Sequence, residues 1–229
     1  MRTSRRKPPA SVRGSLSRER IVEAALALID QDGVEGLTLR KLAQVLGCEA
    51  MSLYHHLSDK DDLLDAVVDR LLTEWELAPL ASGAPRVLMR QAADSYRAIA
   101  HRHPRAFALL TTRRFNTPYA LQVLEHMLGF LDQAGLSAAD SARGFRIVGG
   151  FLNGLLLAES AVQGAGRATG GAVLVDRAPQ AFALTRAAAP WLGPAGIERS
   201  YEHGIDLLLD AILGPVMAPV KKKRAARSS

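Results

Sequence analysis

The stretch from Leu37 to Leu64, LTLRKLAQVLGCEAMSLYHHLSDKDDLL, holds the groups best suited to meeting a polyanion. Thr38 reads as a helix N-cap. Its hydroxyl and the free N–H groups of the first turn can hold a phosphate, and Arg40 and Lys41 share that turn. A second helix is expected from about Ala50 to His56. Leu53 and Leu57, four apart, then face a core, and Ala50, Met51, Ser52, Tyr54 and His55 stay on the outer faces. Lys60 opens the next helix, again in reach of a phosphate. A capped helix, a tight turn at Gly47 and a second helix form a helix-turn-helix. Its second helix fits the DNA major groove, about 12 Å wide, with N-terminal residues at base edges. Arg40 can reach a guanine edge bidentately. Two readings of Met51 stay open: apolar contact with a thymine methyl, or filler without a role. His56 is assigned to packing, and Cys48, in the turn, to core filling rather than redox sensing.

The elements that must position these groups are all helical, because period-2 alternation is almost absent and helical periodicity recurs. Ser17 caps a helix over 18–32 ended by Gly33, and Thr38 caps one ended by Gly47. Ser58 or Asp59 caps a fourth helix running to 78, through Leu63, Leu64, Val67, Val68, Leu71, Leu72 and Trp75. After the break PLASGAP, helices are expected over 86–102, 105–113, 117–134, 137–163, 179–189 and 196–213. The expected organisation is a basic arm (1–16), a three-helix DNA-binding unit with its connecting helix (17–78), a helical domain for ligand binding and dimerisation (84–214), and a basic tail (215–229).

Charge supports this layout. The chain of 229 residues carries +6, but the arm through Arg18 alone holds six basic residues and no acid, and 219–229 holds five more. The body between them is therefore acidic, at −5. Basic tails on an acidic body suit a protein that meets a polyanion at defined places, and equally suit mere solubility. One cysteine excludes a disulfide framework and fits a reducing cytoplasm. The longest apolar run, 147–158, is interrupted by Asn153 and falls short of the roughly 20 residues a bilayer requires, so no membrane partner is expected. No apolar leader follows the basic N-terminus.

The second half offers no catalytic set. No Ser/His/Asp or paired-carboxylate arrangement stands out, so an enzyme is not expected. His101 and His103, two apart, point to different helix faces and sit before Pro104. They read as a polar helix end rather than a metal pair. The loop GAGRATGG follows a helix, not a strand, and is no nucleotide fingerprint. No cofactor and no metal are expected. On helix 137–163, Gly149, Gly150 and Gly154 thin one face for close helix approach. Asn153, Glu159 and Ser160 interrupt it and need a ligand, a second subunit or a neighbouring backbone group as partner. Met89, Tyr96, Leu110, Phe115, Leu124, Met127, Leu128 and Phe151 form a mainly apolar set, with Asn153 as a hydrogen-bonding handle. As a set they point to a cavity for a small, largely apolar molecule.

The runs T-x-R-K-L-A-x-x-L-G (Thr38 to Gly47) and L-Y-x-H-L-x-x-K-x-x-L-L (Leu53 to Leu64) closely resemble the signature of the tetracycline-repressor family of regulators. The resemblance is strong over 17–78 and continues in pattern through the helices 117–134 and 137–163. It implies a homodimer that binds a palindromic double-stranded DNA operator and is released by a small-molecule effector. It also implies that Thr38 and Lys60 hold phosphates, that Arg40, Ala50, Met51 and Ser52 read bases, and that Tyr54 contacts phosphate or base. The magnesium–tetracycline ligands of the family, a histidine and a glutamate, fall on Ala108 and Ala158, so a metal-free ligand is implied. Sequence-indifferent DNA coating through the basic tails is the alternative, and an enzyme in the second domain a weaker one.

Overall fold

A computed structural model describes residues 16–75, 83–113, 115–164 and 182–214. The basic arm before Leu16, the 76–82 break, the Gly-rich loop with the start of the 179–189 helix, and the tail after Gly214 lie outside the described residues. The described residues are all-α, and they divide into two compact units after Val67.

The first unit begins with α1 (Arg18–Asp32), α2 (Leu39–Leu46) and α3 (Ala50–Leu53). The chain continues into α4 (Lys60–Leu72), which starts in this unit and ends in the next. Ser17 Oγ accepts from Arg20 N–H (3.3 Å) and Thr38 Oγ1 from Lys41 N–H (3.2 Å), which satisfies orphan donors at both helix starts. Gly47 stops α2 in a left-handed conformation (φ 68°), where a side chain would be strained. Ile21, Ala25, Ile29, Leu37, Leu42, Leu53, Leu63 and Val67 close the core with no exposed surface.

Here α3 is shorter than expected. It ends at Leu53, and Tyr54 to His56 form a tightened turn with i→i+3 bonds from Tyr54 N–H to Met51 O (3.2 Å) and from His56 N–H to Leu53 O (2.9 Å). The His56 carbonyl instead accepts from the Arg18 guanidinium at 2.8 Å.

The same guanidinium clasps Asp62 with both nitrogens. Asp59 caps α4 by accepting from Asp62 N–H, and Asp62 accepts from Ser58 N–H, both at 2.8 Å. The hydrogen bond from Arg18, then that from Ser58, holds the Asp62 carboxyl down at about 2, below its ordinary 3.8. A depressed carboxylate stabilises the fold above its ordinary value and stops doing so as pH falls through the folded value. Asp62→Asn should therefore cost about 1 kcal/mol near neutrality, after discount for solvent screening of this half-exposed pair. The gap in urea midpoint should shrink between pH 4 and pH 2. A gap unchanged at pH 2.5 would contradict this assignment.

The second unit holds α5 (Pro85–Arg102), α6 (Phe107–Arg113), α7 (Pro118–Gln133), α8 (Ala138–Gly164), α9 (Ala183–Ala188), a 3-10 turn (Ala189–Trp191) and α10 (Pro194–Leu213). α5 packs on α7, α8 and α10, and α8 also packs on α7 and α10. Thr117 caps α7 and donates its hydroxyl to Asp69 near the end of α4.

A ladder of charges joins α5 to α10. Arg86 meets Asp210 (2.7 Å) and Asp206 (3.3 Å); Arg90 meets Glu202 and Asp206; Arg97 meets Glu198 (2.7 Å). Within the chain, a Cβ at Gly150 or Gly154 would touch nothing within 4 Å, so no helix of the same chain makes use of the thinned face there. Close approaches fall at Gly144, where a Cβ would stand 3.0 Å from Ile212, and at Gly204, where one would stand 2.4 Å from the Phe151 ring.

Candidate functional site

On the first unit, Arg40 and Lys60 are exposed and carry no ion pair among the described residues. Thr38 spends an oxygen lone pair on its cap and keeps its hydroxyl proton for an acceptor. The Lys41 ammonium pairs with Asp32 at the surface and keeps further N–H donors. On α3 and the turn after it, Met51 is 70% exposed and Tyr54, three residues on, 50%. Ala50 and Ser52 are half-buried beside them, and His55 is exposed. The surface thus presents one apolar side chain among hydroxyls, with cations at Arg40 and Lys60. His56 and Cys48 are half-buried.

In the second unit a cavity lies among α5, α7, α8 and the chain end of α4, with about 580 Å³ of empty space, mouth included. Met89, Tyr96, Phe115 and Met127 of the expected set line it. Leu110, Leu124, Leu128, Phe151 and Asn153 do not. Each helical residue turns about 100°, which takes Leu124 and Leu128 onto the flank beside Val123 and Met127, where they are half-buried. Leu110 is buried in the core, and the Phe151 ring packs on Gly204 of α10. Asn153 finds its partner inside the protein, accepting from the Tyr96 hydroxyl at 3.0 Å.

Sequence reasoning missed Leu72, Trp75, Phe145 and Leu152 as wall residues. The signal was present: Phe145, Val148, Gly149 and Leu152 recur at helical spacing on α8, and Trp75 follows Leu72 by three. The Trp75 indole donates to Ala92 O at 2.9 Å and packs on Tyr96, ring centroids 4.7 Å apart.

The two histidines are engaged singly. His101 Nε2 lies 2.8 Å from Glu159, which also holds Arg97 at 2.8 Å. His103 faces Glu74, which also takes Arg70 (2.7 Å) and Arg102 (2.9 Å). Burial pushes the Glu74 carboxyl up, but the Arg70 hydrogen bond and the charges of His103 and Arg102 pull it below its ordinary value. Among the described residues, no group of three or more His, Cys, Asp or Glu is arranged to hold a metal, and no helix is long and apolar enough to cross a membrane. Ala108 and Ala158 are exposed and neither lines the cavity.

Residues 21–67 match the family model for bacterial regulatory proteins of the tetR family, and residues 83–214 match that for the tetracyclin repressor-like C-terminal domain. The chain is 31% identical over 166 residues to the HTH-type transcriptional repressor DrrR1 of Streptomyces coeruleorubidus, covering 72% of this chain but only 62% of that protein. It is 31% identical over 194 residues to the tetracycline repressor protein class A from transposon 1721 of Escherichia coli, covering 84% of this chain and 88% of the relative. The Streptomyces coelicolor TetR family protein ActR, solved in complex with actinorhodin, superposes with a TM-score of 0.74 at 26% identity, covering 87% of this chain and 98% of that one.

Proposed function

This chain belongs to the tetracycline-repressor family of bacterial transcriptional regulators, and from that premise we propose that it is a ligand-responsive repressor rather than an enzyme. As a homodimer in the cytoplasm, it binds a palindromic operator through residues 17–78. A small, largely apolar molecule entering the domain of 84–214 releases it. The observation that carries this reading is the pairing of two surfaces in one chain. One is a helix-turn-helix face with two exposed cations and an exposed Met51 and Tyr54; the other is an apolar cavity whose wall includes Leu72, the last residue of the helix that starts at Lys60, and Trp75, three residues beyond it. Ligand pressure on that wall favours a different position of α4, and α4 carries the change toward the helix-turn-helix by a population shift. Among the described residues no carboxylate, imidazole or thiolate lines the cavity, so this lining does not fit a metal chelate.

The assigned DNA contacts are Thr38, Lys41, Lys60 and His55 to backbone, Tyr54 to phosphate or base, and Arg40, Ala50, Met51 and Ser52 to base edges. Selection of duplexes from a random pool by the full chain should return a palindrome with half-site centres about 34–36 Å apart, or a multiple. Arg40→Ala should then cost about 1–3 kcal/mol and relax one base pair per half-site. A uniform loss on all sequences would make Arg40 a phosphate contact only. The thymine 5-methyl is the apolar feature of the major groove, so it is the partner for Met51. Replacing one thymine per half-site by deoxyuracil should weaken wild type and leave Met51→Ala unaffected. Equal binding of selected and scrambled duplexes, with a steep salt slope, would favour sequence-indifferent coating instead.

A further inference from the structure

We propose that the cavity takes a flat, electrically neutral aromatic molecule, held by ring contacts with Trp75, Tyr96 and Phe145 and sulfur contacts with Met89 and Met127, with no hydrogen bond or metal bond to the wall. This deepens the effector reading above and rests on it.

The polar hydrogens of the described wall side chains are already spent. The Trp75 N–H donates to Ala92 O, and the Tyr96 O–H donates to Asn153. The remaining lining side chains are aliphatic, aromatic or thioether. A ligand with an ionised or strongly polar group would shed its water there and gain no donor in return. The nearest carboxylate in sequence, Glu74, is occupied by Arg70, Arg102 and His103, so a cationic ligand finds no free counter-charge at that wall.

Shape narrows the class further. Little of the empty space is wide enough for the centre of a water molecule, so the cavity is narrow. Two ring pairs border it: Trp75 with Tyr96, and Phe115 with Phe145 at 6.1 Å between centroids. Phe115 is 41% exposed and so stands at the mouth. A planar ring, thinner than a saturated one, enters so narrow a space with less wall movement and gains offset-stacked or edge contacts that a saturated ring of equal size cannot make.

The chain offers its own reporter. It has two tryptophans, and Trp191 is exposed on the 3-10 turn and does not line the cavity. In full-length Trp191→Phe protein, emission therefore comes from Trp75 alone. Naphthalene, 2-naphthoate, decahydronaphthalene and magnesium–tetracycline are titrated against it, with equilibrium dialysis as an independent measure of binding. Naphthalene should bind at least about tenfold more tightly than each of the others and change Trp75 emission. Ala93→Leu, which fills the cavity from α5, should abolish naphthalene binding while the helical circular-dichroism signal is retained. Equal or tighter binding of the naphthoate, the saturated ring or the metal chelate overturns the proposal. So does absence of naphthalene binding, or naphthalene binding that Ala93→Leu leaves intact. Release of the selected palindrome is measured in parallel. Naphthalene bound at Trp75 without release upholds the ligand class and counts against the effector reading.

Discussion

Replacing Arg97 by methionine is expected to destabilise the second unit by about 3 kcal/mol, the loss typical when one member of a buried ion pair is removed. Arg97 is 11% exposed and Glu159 6%, and the pair closes at 2.8 Å between α5 and α8. Arg97 also binds Glu198 of α10 and lies over the Tyr201 ring at 4.2 Å, so one guanidinium ties three helices together. The hydrogen bond it donates to Glu198 is the largest influence holding the guanidinium's proton more tightly than usual. Without Arg97, Glu159 keeps only His101 as a basic partner among the described residues and remains buried. Much of the loss is thus the cost of an uncompensated carboxylate. The double variant Arg97→Met/Glu159→Gln should then recover most of the stability, because it removes both charges. Urea unfolding of the four proteins, at one protein concentration, measures the cycle. A single-variant loss below 1 kcal/mol, or a double variant as unstable as the single, would show that the pair does not hold these helices.

This ion-pair ladder marks where sequence reading stops. Arg86, Arg90, Asp94, Arg97 and His101 recur at three- and four-residue spacing along α5, as do Glu198, Glu202, Asp206 and Asp210 along α10. Each stripe is visible in one helix, but which helix it faces is a matter of tertiary packing across a hundred residues. Local signals fared differently. The caps at Ser17, Thr38 and Thr117 and the stop at Gly47 follow from hydroxyl and glycine chemistry within four residues, and they stand where the sequence puts them. The end of α3 departs because the Arg18 bond to the His56 carbonyl comes from 38 residues away. In the second unit the apolar residues are legible as apolar, but only packing decides which of them border empty space. Phe151 is drawn away by the hole at Gly204, and Trp75 is brought in by its bond to Ala92. Asn153 read as a handle for a ligand, and Tyr96, 57 positions earlier, took it.

Leu208→Glu should convert the protein to a monomer and remove operator affinity by about two orders of magnitude or more, since a palindrome is held by two half-site contacts that only a dimer makes together. α8 and α10 have satisfied their own unit's core: Val148, Leu152, Leu156, Ile205 and Leu209 are buried in it. They nevertheless expose Ile147 and Leu207, and beside these lies an open groove lined by Leu136, Ile147, Leu208 and Ile212, with Asp140 and Arg143 at its rim. Apolar surface of this kind on two neighbouring helices is what a four-helix dimer interface buries, with a charged rim to fix its register. A glutamate at Leu208 would place two like charges near each other across a two-fold axis, whereas in the isolated unit it meets water. Gly154→Trp on the exposed side of α8, where a Cβ touches nothing in the monomer, should act similarly through bulk alone. The first unit's core shares no residue with this surface, so its helical signal should persist. Sedimentation gives the mass, and fluorescence anisotropy on the selected duplex gives the affinity. A Leu208→Glu protein that sediments as a monomer and still binds the palindrome at wild-type strength would refute the dimeric reading. One that stays dimeric would place the interface elsewhere on the second unit.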